Sequence, residues 1–137
     1  MNTQNSAQDL LPLARAVANA RGWDEVTRQL MIAGRQLNTP ESWLCVEEYA
    51  VPGCESEVWL ALSSESAAAT IVAYSPSKIV RGVLAILLEK ANHQALSQLK
   101  DTDFSAYLTE IGLARHLSQS RGNGIREVIK RLNGLVG

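Results

Sequence analysis

The sequence has few cysteines and no excess of charge of either sign. Among its 137 residues there are two cysteines, Cys45 and Cys54, and the formal net charge is −1. Two cysteines do not make a disulfide framework, and a reducing compartment would keep both as thiols. Proteins that bind nucleic acid usually carry a clear basic excess, so the charge balance argues against a nucleic-acid partner.

Long apolar runs are also missing, and none approaches the roughly 18 residues that a membrane-spanning helix needs. The first residues, Met1 to Ser6, have neither a cationic start nor a hydrophobic stretch behind them, so we expect no secretory signal. We therefore expect a cytoplasmic protein without a membrane partner. Apolar residues make up 46% of the chain, which predicts one folded domain over 1–137, with a polar, disordered segment at 1–8.

Apolar residues at helical spacing predict helices at both ends of the chain. The first helix begins at Leu10, and the second opens at Trp23. In the second helix five residues are expected to face inward: Val26, Leu30, Ile32, Ala33 and Leu37. Ser75-Pro76 is typical of an N-cap followed by proline, and it predicts the start of a buried central helix. The last helix has a stripe at i, i+3, i+4 and i+7: Ile125, Val128, Ile129 and Leu132.

Between these helices the sequence predicts a small antiparallel sheet of about three strands. The apolar residues of 43–49 indicate a first strand. The alternation from Ser56 to Ser63 predicts a second strand, and the β-branched run from Ala69 to Tyr74 predicts a third. The fold class is therefore α+β, with a small antiparallel sheet packed against helices from both ends of the chain.

The most informative residue is Cys54, which follows a turn and precedes a strand. Pro52-Gly53 favours a type II turn, because proline presets φ at the first central position and glycine tolerates a positive φ at the second. Most free cysteines are small buried hydrophobes, but this turn indicates a thiol near solvent. Glu55 and Glu57 would raise the pKa of the thiol, so they favour a cysteine that reacts when a partner positions it.

Four other residues are weaker candidates. Cys45 lies in an apolar pattern and is expected in the core, although a Cys45–Cys54 redox pair stays open. His93 is expected on the surface and His116 near a helix end, and neither has a zinc-ligand spacing to a cysteine. Arg121 lies beside two glycines in 120–124, where exposed amides could hold an anion, or where the helix simply starts flexibly.

Several motifs resemble those of the SufE-like sulfur acceptors, including the CsdE type. Gly53-Cys54-Glu55-Ser56-Glu57-Val58-Trp59 is similar to their Gly-Cys-x-Ser-x-Val-Trp signature. Ile79-Val80-Arg81-Gly82 resembles their Ile-Val-(Lys/Arg)-Gly helix. The segment from Leu117 to Gly124 resembles their Leu-x-x-Ser-Arg-x-x-Gly pattern. These blocks occur in the family's order, and the resemblance runs from about residue 10 to the end of the chain.

The resemblance implies a SufE-like α+β protein that works with a PLP-dependent cysteine desulfurase of the SufS or CsdA type. The partner's persulfide would pass its outer sulfur to Cys54, by a reaction related to disulfide exchange. The PLP belongs to the partner, so the resemblance implies no cofactor in this chain. The sulfur would go to an iron–sulfur scaffold or to another pathway such as tRNA modification. Arg121 is implied as a supporting residue near the cysteine, and His116 as a weaker one.

Two other functions are alternatives to a sulfur acceptor. A scaffold that binds a metal or an iron–sulfur cluster directly needs about three or four soft ligands that converge. Two cysteines and two scattered histidines provide poorly for such a site. A thiol redox switch would need a low pKa at Cys54, against which Glu55 and Glu57 argue. We therefore expect a sulfur-transfer protein that activates a desulfurase, rather than a stand-alone enzyme.

Overall fold

The computed structural model describes residues 10–37, 44–53, 57–63, 70–94, 96–113, 117 and 119–135. Within these ranges five helices accompany one antiparallel pair of strands, which confirms the α+β fold class. The elements are α1 (Pro12–Ala18), α2 (Gly22–Gly34), β1 (Trp59–Ser63), β2 (Thr70–Tyr74), α3 (Lys78–Asn92), α4 (Phe104–Glu110) and α5 (Gln119–Asn133). Two 3₁₀ helices join them, Glu47–Tyr49 and Leu96–Asp101. The segment 1–8, expected to be disordered, lies outside the described residues.

Helix α1 begins with a proline and is capped by a carboxylate from another helix. Pro12 occupies the first turn, where its missing N–H costs nothing. The next two amides donate to Glu89 of α3, Leu13 N to Oε2 at 2.9 Å and Ala14 N to Oε1 at 3.4 Å. A carboxylate at a helix N-terminus also interacts favourably with the helix dipole. Glu89 therefore fixes the start of α1 against α3, although the two helices are far apart in the chain.

Helices α2 and α3 cross closely because a glycine lies at the crossing. A Cβ built on Gly82 of α3 would lie 2.7 Å from the carbonyl carbon of Leu30 in α2. Gly34 lies at the same crossing, where a Cβ would come within 3.3 Å of the Gly82 nitrogen. Only glycine permits this backbone approach. The crossing buries α3 along most of its length, and the run from Val83 to Leu88 is buried.

The start of α3 lies two residues later than predicted. The N-cap is Ser77, whose hydroxyl accepts from Val80 N at 3.3 Å, and the helix begins at Lys78. Ser75 is fully buried, and its Oγ accepts from Ser77 N at 3.2 Å. Pro76 is exposed and precedes the helix. The chain thus has two serines that can satisfy an amide two or three residues ahead, and the first of them forms the turn that leads into the helix.

The predicted first strand at 43–49 is wrong in the part that the structure describes. Residues 44–46 are irregular and Glu47–Tyr49 form a 3₁₀ turn, after which Ala50 makes a single antiparallel bridge with Trp59. The alternation fails because Glu47 and Glu48 are consecutive and both exposed. A strand would turn one of the two carboxylates toward the core. The two later strands are confirmed, in a register that pairs Trp59 with Tyr74 and Ser63 with Thr70.

The core takes side chains from every α-helix and from both strands. Most of the predicted inward residues are buried, but Ile32 of α2 is 40% exposed. It lies two positions from the fully buried Leu30, which is about 200° around an α-helix, so the two side chains point to opposite sides. None of the helices in the described ranges is long and apolar enough to cross a membrane.

Candidate functional site

The two ends of the segment that carries Cys54 lie side by side and are hydrogen-bonded to each other. Val51 N donates to Val58 O at 2.8 Å, and the Ala50–Trp59 bridge lies directly beside this bond. Val51 and Val58 are both buried, 5% and 2% exposed. Residues 52–57, which we call the cysteine loop, therefore join two ends that are fixed in the core. Cys54 itself lies outside the described residues, as do its two following neighbours.

The first half of the cysteine loop has the predicted turn geometry. Pro52 and Gly53 are both exposed and form a turn, and Gly53 has a φ of +82°. This is the left-handed region, where a residue with a Cβ is strained. Since Cys54 follows immediately in the sequence, the turn determines the direction in which the chain enters the cysteine position.

Helix α5 supports the cysteine loop from one side. The Nη2 atom of Arg131 donates to Ala50 O at 3.2 Å, beside the point where the loop leaves the fold. A Cβ on Gly53 would lie 3.2 Å from Cγ of Glu127, so the Glu127 side chain packs directly on the turn. Glu127 is also 3.8 Å from Nζ of Lys130, an exposed ion pair of little energetic value. The helix thus contacts both the base and the turn of the loop.

These contacts do not test the supporting roles predicted for Arg121 and His116. The backbone of Arg121 belongs to α5, about 9 Å along the helix axis from Glu127 at 1.5 Å per residue. Its side chain is outside the described part of the structure, and so is the whole of His116. Sequence reasoning missed Glu127, which packs on the turn, and Arg131, which bonds Ala50 beside the loop, because both contacts depend on how α5 packs against a distant part of the chain.

The second thiol lies near the base of the cysteine loop. Cys45 is partly buried, so it is not the fully buried core residue that was expected. Burial raises the pKa of the Cys45 thiol, and the carboxylate of Glu57 raises it further. Glu57 belongs to the cysteine loop, so the loop approaches Cys45 in space as well as in sequence. At neutral pH this thiol is kept protonated and weakly nucleophilic.

An arginine lies at the same end of the sheet as the loop. Trp59 pairs with Tyr74 across the two strands, and Arg81 of α3 donates from Nη2 to Tyr74 Oη at 2.9 Å. The Arg81 guanidinium also lies 4.8 Å from the centre of the Tyr74 ring, and its Nε donates to Ser75 O at 3.0 Å. The motif around residues 79–82 was the only signal in the sequence that pointed to this arginine.

Metal ligands do not converge in the described part of the chain. No group of three or more His, Cys, Asp or Glu side chains there is placed to hold a metal ion. His93 is exposed at the end of α3, as predicted. What the described residues do form is the base of the cysteine loop, where Val51 and Val58 are buried, and a turn at Gly53 that packs against Glu127.

The chain is similar to known proteins over nearly all of its length. Residues 12–136 match the SufE family, described as an Fe-S metabolism associated domain. The sulfur acceptor protein CsdE of Escherichia coli (strain K12) is 33% identical over 104 residues, which are 75% of this chain and 71% of that protein. An uncharacterized SufE-like protein of Haemophilus influenzae is 25% identical over 117 residues, 85% of this chain and 93% of that one.

A solved structure agrees with the fold. The solution structure of a hypothetical protein from Thermus thermophilus superposes with a TM-score of 0.69, and the match covers 93% of this chain and 95% of the other. At 15% sequence identity this likeness supports the fold alone.

Proposed function

Because the chain belongs to the SufE family, we propose that it accepts sulfur from a PLP-dependent cysteine desulfurase and carries it as a persulfide on Cys54. The observation that supports the site is the cysteine loop, with two ends fixed in the core and an exposed turn directly before Cys54. The CsdE protein, a 33% identical relative, is a sulfur acceptor by its name. In this proposal the chain needs no cofactor of its own, since the PLP is on the partner.

The transfer is a displacement at sulfur that needs no external oxidant. The Cys54 thiolate attacks the outer sulfur of the partner's cysteine persulfide. A new sulfur–sulfur bond forms to Cys54 while the partner's sulfur–sulfur bond breaks, and the partner's cysteine leaves as a thiolate. The product is Cys54–S–SH, and the same sulfur is then available to a further acceptor thiol.

The structure at the base of the cysteine loop suits a cysteine that reacts slowly until a partner docks. The exposed turn can enter a partner's cleft, while Val51 and Val58 hold the base of the loop in place. The carboxylate of Glu57 adds negative charge to the loop, which disfavours a free thiolate. A slow reaction outside the complex protects Cys54 from oxidation, because oxidation of a thiol follows its thiolate fraction and its exposure.

The destination of the sulfur is the finer part of the proposal. We assign it to iron–sulfur cluster assembly, in keeping with the family's description, through a scaffold protein that receives the sulfur. Relay to another pathway such as tRNA modification is the alternative. Both would take place in the cytoplasm, where thiols are kept reduced.

Intact-mass analysis tests the sulfur transfer directly. The protein is mixed with a cysteine desulfurase and free cysteine, beside the variants Cys54→Ser and Cys45→Ser. We expect the mass of one sulfur atom to be added to the wild type and to Cys45→Ser, to be lost on treatment with a reductant, and to be absent from Cys54→Ser.

Two results would contradict the proposal. If several different desulfurases add no sulfur to the wild type, the chain has the fold of the family without this function. If Cys45→Ser is folded but accepts no sulfur, the transfer is not a single-thiol reaction, and the Cys45–Cys54 redox pair becomes the better explanation.

A further inference from the structure

A small basic cavity lies between the end of α2 and the start of α3. Its volume is about 120 Å³, and it is lined by Met31, Gly34, Arg35, Lys78 and Arg81. We call it the α2–α3 cavity. A volume of this size accommodates a group such as a carboxylate, but not a folded segment.

The lining is cationic although the chain as a whole is not. Three of the five lining residues are arginine or lysine and none is acidic, while the net charge of the protein is −1. Within the described ranges, no carboxylate forms an ion pair with any of the three. The N-terminus of α3, which begins at Lys78, adds the positive end of a helix dipole. Uncompensated like charges that face one cavity favour an anionic occupant.

One of the three cations is held rigidly in place. Arg81 donates to Tyr74 Oη and to Ser75 O, and its guanidinium lies against the Tyr74 ring. Ser75 is fully buried, so the carbonyl that accepts from Arg81 is itself fixed in the core. A guanidinium that is already ordered loses little conformational entropy when it binds a carboxylate.

The cavity and the cysteine loop lie at the same end of the sheet. Tyr74, which bonds Arg81, is the direct partner of Trp59 in the register, and Trp59 follows the cysteine loop by two residues. Neighbouring strands are about 4.8 Å apart. One partner surface docked at this end of the sheet can therefore contact both.

The surface around the cavity has an apolar component as well. Met31, which lines the cavity, is 36% exposed, and the adjacent Ile32 is 40% exposed. Exposed apolar side chains next to arginine are typical of protein–protein interfaces, in which Met and Arg are both enriched. This favours an acidic side chain on a protein surface over a free small anion.

We propose that the α2–α3 cavity receives a carboxylate from an acidic segment of the cysteine desulfurase, and that this contact docks the partner over the cysteine loop. The inference rests on the proposed function, because it takes the desulfurase as the partner. Its chemistry is a set of charge-assisted hydrogen bonds from Arg35, Lys78 and Arg81 to the oxygens of one carboxylate.

Charge reversal at Arg35 and Lys78 tests this docking contact. Arg81 is left unchanged, because its bonds to Tyr74 and Ser75 also hold the structure before α3. The double variant Arg35→Glu, Lys78→Glu is compared with Arg21→Glu, Lys100→Glu. The control makes the same change in net charge at two exposed residues, one of which is about 21 Å from Arg35 along the α2 axis at 1.5 Å per residue. The rate of sulfur transfer is measured against the concentration of the chain, with the desulfurase that loads Cys54 in the mass experiment.

We expect the cavity variant to raise the KM for the chain by about tenfold or more, with kcat at saturation nearly unchanged, because binding is weakened and not the chemistry. The neutral variant Arg35→Gln, Lys78→Gln should give a smaller change in the same direction. The differences should shrink at about 1 M salt, where the Debye length is about 3 Å. Equal urea midpoints for all variants show that folding is not the cause.

Three outcomes separate the inference from the proposed function. A cavity variant that behaves like its control at all salt concentrations overturns the docking contact and leaves the sulfur transfer standing. A fall in kcat with an unchanged KM also overturns it, since the cavity would then act on the chemistry. If no desulfurase loads sulfur on the wild type, the proposed function fails and the inference fails with it.

Discussion

The electrostatic influence of Glu57 on Cys45 can be measured in a protein with one thiol. In the background Cys54→Ser, Cys45 is the single thiol, and its pKa is raised first by burial and second by Glu57. We expect Glu57→Gln to lower this pKa, because a carboxylate that disfavours the thiolate has been removed. The rate of alkylation by iodoacetamide as a function of pH should therefore shift to lower pH. The shift should be partial, since the burial of the thiol is unchanged.

The control for this prediction is Glu48→Gln, which removes an exposed carboxylate three residues from Cys45 in the sequence. Glu48→Gln should give nearly the same pH–rate profile of alkylation as the Cys54→Ser parent. Profiles of parent and Glu57→Gln that coincide would mean that Glu57 and Cys45 do not approach one another in solution.

The site is predictable from the sequence only where its parts are neighbours in the chain. The turn at Pro52-Gly53 is a local property, and the structure confirms it. The contact of Arg131 with Ala50 joins residues 81 positions apart, and no pattern within a window of the sequence indicates it. The same holds for Glu127 against Gly53, which depends on how α5 packs.

At the scale of the elements, the crossing of α2 and α3 should be highly sensitive to one methyl group. In Gly82→Ala the new Cβ meets the backbone of Leu30, which cannot move aside as a side chain can. We expect a loss of about 1–3 kcal/mol in the free energy of unfolding, the usual cost of overpacking. Urea denaturation at neutral pH measures it.

Gly122→Ala in α5 is the matched control. A Cβ on Gly122 meets no atom within 4 Å, and Gly122 does not have a positive φ. Alanine there should increase the free energy of unfolding by about 0.5–1 kcal/mol, because glycine is a poor residue for a helix interior. Equal effects of the two substitutions would contradict the close crossing.

The turn of the cysteine loop offers a second matched pair. Gly53 and Gly22 have almost the same φ, +82° and +81°, but only Gly53 is packed against another element. We expect both Gly53→Ala and Gly22→Ala to cost about 1–2 kcal/mol of stability from backbone strain. Only Gly53→Ala should also slow the loading of sulfur onto Cys54, measured by intact mass over time. Equal loading rates would show that the turn does not position the cysteine.

The elements that the sequence predicted well are those with a clear period. The last helix has an unbroken apolar stripe, and β2 a run of β-branched residues, so both lie where they were expected. The segment at 43–49 has apolar residues without strict alternation, and the two adjacent glutamates decide against a strand. The motif 79–82 contains Gly82 but does not show the crossing there, because which backbone lies opposite depends on the tertiary fold.

At the scale of the whole molecule, Tyr107 of α4 joins three helices that are distant in the chain. Its Oη accepts from Leu11 N, at the start of α1, at 3.4 Å, and its ring lies 5.1 Å from Nζ of Lys90 in α3. Burial raises the pKa of Tyr107, the carboxylates of Glu89 and Glu110 raise it too, and the hydrogen bond from Leu11 opposes them. The folded protein therefore keeps the phenol protonated at a pH at which the unfolded chain has begun to lose the proton.

The stability of the whole fold should consequently depend on Tyr107 in alkaline solution. Below the ordinary tyrosine pKa of about 10, the phenol is protonated in both states and its contribution is complete. As the pH rises through 10 toward the higher pKa of the folded state, the unfolded state binds fewer protons than the folded state, so the free energy of unfolding falls.

Tyr107→Phe removes this dependence, together with a hydrogen bond worth about 1 kcal/mol. We expect the variant to be less stable than the wild type near pH 8, and the difference to narrow or reverse at about pH 10.5. Urea denaturation of both proteins under reductant measures it, and the lysines and the other tyrosines cancel in the comparison. A difference that is the same at the two pH values would show that Tyr107 titrates alike in the folded and unfolded chains, and that the contact between α1, α3 and α4 does not bury its hydroxyl.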